Sequence, residues 1–184
     1  MSLPPTLEQW LDEHRRAIEA CLEKGLVLPA VALIYTVIDS LAFLARPTEQ
    51  VRPGPDYEGW VKDYLLDGYD GHAGVPEKIT RDLYGARCAI LHRMTAEANL
   101  TAHPDPARRA REVYYQRRTG EGRIPLQSAN TPEPALFVDP DAVAANLVQG
   151  IERFGRAVGA DAALRERVDR RSTHLLLPDT CIDA

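Results

Sequence analysis

Several things are scarce in this chain. Of its 184 residues, only three are Cys, three are Lys, two are Met and three are Phe. Cys21, Cys88 and Cys181 are an odd number at wide spacing, and none belongs to a CxxC pair. That excludes a disulfide framework and a thiolate zinc cluster, and it points to a reduced, cytoplasmic protein. The glycines are scattered, so there is no Gly-rich phosphate loop, and no GxSxG elbow is present. The five histidines, His14, His72, His92, His103 and His174, never fall three or four residues apart. None follows an acidic residue by three, so the Glu-x-x-His ligand pair of di-metal helical bundles is missing. No metal and no cofactor is expected. The opening MSLPPTLEQWLDEH has neither a basic nor an apolar leader segment, which argues against a secretory signal. The longest apolar stretch, Leu26 to Ala45, is interrupted by Pro29, Thr36, Asp39 and Ser40, and it reads as a buried helix instead of a membrane span.

What is present is ordinary for a globular chain, with 45% hydrophobic and 27% charged residues. The length predicts one domain with a core of its own. The net charge of −5 is unevenly spread. Residues 101–123 carry a net +3, and every basic group there is an arginine: Arg108, Arg109, Arg111, Arg117, Arg118 and Arg123. Such an island can hold phosphate, so these arginines are candidate nucleic-acid contacts. The plainer alternative is that an Arg-rich composition, 19 Arg to 3 Lys, has placed them on a solvated face.

The periodicity predicts a mainly α fold. Thr6 is placed to cap a first helix carrying Leu7, Leu11, His14, Ile18 and Leu22 on one face, with Gly25 as its stop. Pro29 opens a second helix that is apolar nearly all round to Ala45, as a central helix must be. VRPGPD reads as loop. Tyr57, Trp60, Val61, Tyr64 and Leu65 mark a short third helix, with Trp60 and Tyr64 read as core and not as base-stacking platforms. A fourth helix is expected from about Glu77 to Ala98, with Ile79, Leu83, Ala86, Ile90 and Met94 inward. Residues 109–138 read as a small β-hairpin insertion. Asp139 caps a closing helix through Val143, Leu147, Ile151, Phe154 and Val158, and a last piece runs from about Asp161 to Arg171. The expectation is a single domain over 1–184, an up-and-down helical bundle: a four-helix part at 6–98, the insertion at 109–138 and closing helices at 140–171.

The fourth helix reads ITRDLYGARCAILHRMTAEA and holds Arg87, four residues, then His92. An Arg and a His so spaced on a late bundle helix resemble the HEPN superfamily of all-α domains. LYGARCAILH, with IYTVIDSLAFL on helix two and YEGWVKDYLL on helix three, is similar to bacterial HEPN-like proteins of unassigned role. The resemblance covers roughly Leu26 to Ala98. It implies a homodimer that cleaves RNA without a metal, with His92 as the base and Arg87 as the phosphate clamp. The chemistry suits those side chains: imidazole takes a proton near neutral pH, and a guanidinium offsets charge on a phosphate. The residue after the Arg is usually polar in active members; here it is Cys88. A non-catalytic interaction module of the same fold is therefore the alternative, and a small-molecule- or nucleotide-binding bundle is a third.

Positions five apart on an ideal helix differ by about 140° in direction. Arg87 and His92 are thus expected to meet only through a bend or across a dimer. Arg87 lies within the apolar arc of its helix, and a buried Arg requires a carboxylate. Asp39, the lone charge of helix two, is its expected partner. Tyr84 is read as core or interface, and Cys88 as a small packed residue supporting the site.

Overall fold

In the computed structural model the described residues are 3–66, 75–94, 99–105, 109–117 and 135–175, side chains 75–77 excepted. Among the described residues the fold is mainly α, with six α-helices and two short strands: α1 Pro5–Glu23, α2 Val27–Ala45, α3 Pro53–Trp60, α4 Val75–Arg93, β1 Glu112–Tyr115, β2 Ala135–Val138, α5 Pro140–Ala160 and α6 Ala162–Ser172.

The second helix is the axis of the bundle. α1, α3, α4, α5 and α6 all pack against it. Ala30, Val31, Ile34, Tyr35, Val37, Ile38, Leu41, Ala42 and Leu44 are buried. By length and composition α2 could cross a membrane, and half of its most apolar window is buried within the fold. Its stripe is too wide for a two-layer contact, so helices must surround it.

Boundaries follow local chemistry. Gly25 stops the first helix at φ +71°, a conformation that only glycine adopts without strain. The capping role expected of Thr6 is not observed: Pro4 holds the N-cap position and no side chain caps there. Pro53 starts α3, so the last four residues of the predicted loop VRPGPD are helical, with Asp56 accepting from the Arg52 backbone N–H at 2.9 Å. α3 continues into a π-helical turn, Val61–Leu65, in which the Leu66 N–H reaches the Val61 carbonyl. The Tyr64 carbonyl accepts from Arg153 Nε of α5 at 2.7 Å, and Gly150 beside it leaves room for that approach. Asp139 caps α5 through its side chain, as expected, and Asp161 does the same for α6.

The expected hairpin is corrected. β1 and β2 pair in parallel, with Glu112 opposite Ala135 and Tyr115 opposite Val138. A parallel pair cannot be closed by a tight turn, so the turn residues TGEG say nothing about the pairing. Residues 118–134 lie outside the described residues.

Buried charges tie the layers together. Arg171 of α6, 3% exposed, donates to the carbonyls of Phe43, Leu44, Arg46 and Thr48 and to Glu49. Those carbonyls belong to the last turn of α2 and the chain just after it, where a helix leaves acceptors unmet and carries partial negative charge. On α4, fully buried Asp82 accepts from the Arg111 backbone N–H at 2.7 Å and from its Nε at 2.8 Å. Three residues along, Gly85 lets the same segment dock: a Cβ there would sit 2.9 Å from the Ala110 Cβ.

Two outcomes are expected from these contacts. Arg171→Met should cost roughly 3 kcal/mol or more, since each lost charge-assisted hydrogen bond counts about 1.5–3 kcal/mol; a urea titration differing from wild type by under about 1 kcal/mol would contradict the clamp. Gly85→Val should destabilise by about 1–3 kcal/mol through overpacking against Ala110, read in the same titration.

Candidate functional site

The site forms where α2, α3, α4 and β1 converge. α2 supplies Tyr35 and Asp39, four residues apart and so on one face. Tyr57 comes from α3, Tyr84, Arg87, Cys88 and His92 from α4, and Tyr115 from β1.

Arg87 is the hub. Its Nη2 donates to Asp39 Oδ2 at 2.6 Å, the expected ion pair, with the side chains 15% and 35% exposed. Its Nη1 lies 3.3 Å from His92 Nε2 and 3.9 Å from Cys88 Sγ. In the first of these the guanidinium is the donor and the imidazole nitrogen the acceptor. Burial pulls the Arg87 pKa down; the Asp39 hydrogen bond and charge more than offset this, and it ends raised.

The expectation that Arg87 and His92 could not meet on one regular helix is corrected. Their Cα–Cβ directions do diverge, but the long arginine side chain spans the gap of somewhat over one turn. His92 sits exposed in the last turn of α4, and the helix stops at Arg93, followed by Met94 at φ 54°. One chain therefore brings the pair together, and the geometric argument for a second protomer falls. Residues 95–98, expected to be helical, lie outside the described residues.

Behind the pair is a tyrosine cluster that sequence reasoning missed. The Tyr35 and Tyr115 hydroxyls are hydrogen-bonded to each other; Tyr35 is buried and Tyr115 is partly buried. The Tyr57 hydroxyl is buried without a hydrogen-bond partner, and Tyr57 packs against Tyr84 with ring centroids 5.6 Å apart. Gly54 of α3 leaves space for the Tyr84 ring. Burial raises the pKa of Tyr35, Tyr57 and Tyr115, and for Tyr57 the charge of Asp39 adds to the effect. Tyr84 is pushed up to about 12, first by burial and then by Cys88 beside it. The available signal was the step of four from Tyr35 to Asp39; that Tyr57 and Tyr115 join them depends on tertiary packing alone.

Of the arginine island, two of the three described members are engaged by carboxylates of the fold. Arg111 is paired with Asp82. Arg117 forks onto Asp141 at 2.6 and 2.7 Å and reaches the Leu22 carbonyl with Nη1. Arg109 Nε donates to the His103 carbonyl at 3.0 Å and is exposed. Arg108, Arg118 and Arg123 lie outside the described residues. Trp60 is core, 2% exposed, and packs against Tyr64 with its ring tilted and against Phe154 edge to face. Among the described residues no group of three His, Cys, Asp or Glu side chains could hold a metal ion.

In comparison with known proteins, no family model, no curated protein and no solved structure matches this chain.

The raised tyrosines set an alkaline limit. Above pH 10 the unfolded state loses tyrosine protons that the folded state keeps, so the stability these groups contribute is complete below pH 10. It falls as pH climbs through about 12, the value for Tyr84. In an absorbance titration, tyrosinate should appear late and together with unfolding. Ionisation of all seven tyrosines near pH 10 with the helical signal intact would contradict the cluster.

Proposed function

We propose that this chain is a HEPN-like, metal-independent RNA endonuclease acting through Arg87 and His92. The observation that carries the reading is the 3.3 Å approach of the Arg87 guanidinium to His92 Nε2 at an exposed helix end, with Arg87 fixed by Asp39.

The chemistry is transesterification. A phosphodiester draws the Arg87 guanidinium onto its non-bridging oxygens, which frees His92 Nε2. The imidazole takes the ribose 2′-hydroxyl proton, the 2′-oxygen bonds to phosphorus, and the bond to the 5′-oxygen breaks. The 5′-oxygen leaves with a proton from solvent. The products are a 2′,3′-cyclic phosphate and a 5′-hydroxyl. Asp39 is a positioning residue: it holds the guanidinium that touches the substrate and does not itself touch it. A second reading, a non-catalytic interaction module of the same fold, is favoured by Cys88 after Arg87 and by the internal engagement of Arg111 and Arg117.

Purified protein should cleave single-stranded RNA in the presence of EDTA and leave cyclic phosphate ends. Arg87→Ala and His92→Ala should each lower the rate by about a hundredfold or more, the scale of general acid–base catalysis. Cleavage left unchanged by both substitutions would sink the assignment, and no cleavage by folded wild type would favour the second reading.

A further inference from the structure

A polar cleft lined by neither Arg87 nor His92 lies between the end of α2, α3 and the start of α6. Its volume is about 360 Å³, within the size range of small-molecule sites. Arg46, Arg52 and Arg167 line it, as do Asp56, Asp63 and Asp161. The six charges cancel on paper, but they are not equally available. Arg52 and Asp56 hold each other, with the Asp56 carboxylate accepting from the Arg52 backbone N–H. Asp161 caps α6 through the N–H groups of Ala163 and Leu164. Arg46, Arg167 and Asp63 remain.

Arg46 is the anomaly. It is 8% exposed, one face lies over the Phe43 ring at 4.5 Å, and its carboxylate contact, to Glu49, is long at 3.8 Å. Glu49 is drawn more closely to Arg170 and Arg171. Arg46 Nε and Nη1 are buried with no hydrogen-bond partner, and so are Arg167 Nε and Trp60 Nε1. All four orphaned groups are donors. A desolvated guanidinium without a close anion is costly, and donors without acceptors add to the cost. The missing partner is therefore negative and rich in acceptors. Pro47, Pro55 and Leu164 give the same cleft apolar wall, which suits a ligand with an organic body.

We propose that this cleft binds a small organic oxyanion. Its phosphate or carboxylate group is held by Arg46 and Arg167, in the manner in which planar guanidinium groups hold such anions. Its body lies against Tyr64 and the apolar wall, and Asp63 accepts from a hydroxyl or ammonium group on it. The assignment is independent of the nuclease reading and shares no residue with it.

The test is thermal unfolding of the full chain with inorganic phosphate or succinate, against sodium chloride at matched ionic strength. A saturable rise in Tm is expected with at least one oxyanion; phosphate alone identifies a phosphorylated ligand, succinate alone a carboxylate. Arg167→Met, at a half-exposed position, should raise the half-saturating concentration about tenfold or more, the scale of one lost charge-assisted bond. Arg46→Met should do the same where it folds, and Arg156→Ala, at an exposed position outside both sites, should leave the response unchanged. No saturable response in wild type would overturn the proposal. So would a saturable response whose half-saturating concentration is unchanged in Arg167→Met.

Discussion

A helix that is apolar on nearly every face cannot be left on a surface, and α2 sets that demand for the whole molecule. Five other helices pack against it, and its last turn ends in carbonyls that water does not reach freely. Arg171 meets them from the far end of the chain. Asp39, the one charge on α2, has to be answered in the same crowded space, and Arg87 answers it. The candidate site is thus a by-product of burying the central helix: the carboxylate that α2 cannot hide fixes the guanidinium that faces outward toward His92.

This origin explains the character of the site. One nitrogen of Arg87 is committed to Asp39, and another reaches His92. The floor is made of tyrosines, which present hydroxyls to one another and aromatic carbon to the core. Such a floor is polar enough to sit beside an ion pair and apolar enough to exclude water. The cleft near Arg46 has the opposite character: there a guanidinium is stacked on Phe43 and buried without a close counter-charge.

Much of this was legible in the sequence because it follows from periodicity and local caps. The apolar girth of α2, the stop at Gly25, and the Asp139 cap are properties of neighbouring residues, and the Arg87–Asp39 pair follows from the rule that a lone buried charge requires its opposite. Other features are properties of distance. Whether two strands run parallel or antiparallel depends on the path between them and not on the strands themselves, so residues 112–115 and 135–138 read correctly as extended and wrongly as a hairpin. Arg111 and Arg117 looked like a phosphate-binding surface because their acidic partners, Asp82 and Asp141, lie 29 and 24 residues away. The meeting of Arg87 and His92 was misjudged for a different reason: helical direction was weighed without side-chain length.

The clamp on the second helix also fixes an order of events. The acceptors at Phe43, Leu44 and Arg46 are synthesised early, and the guanidinium that satisfies them is 125 to 128 residues later. While the chain is still emerging, the most apolar helix has neither its full wall nor its terminal cation. The first half can form helices during synthesis, but it cannot close. Completion waits for α6, so the interval before α6 emerges is when the central helix most needs shielding from other chains.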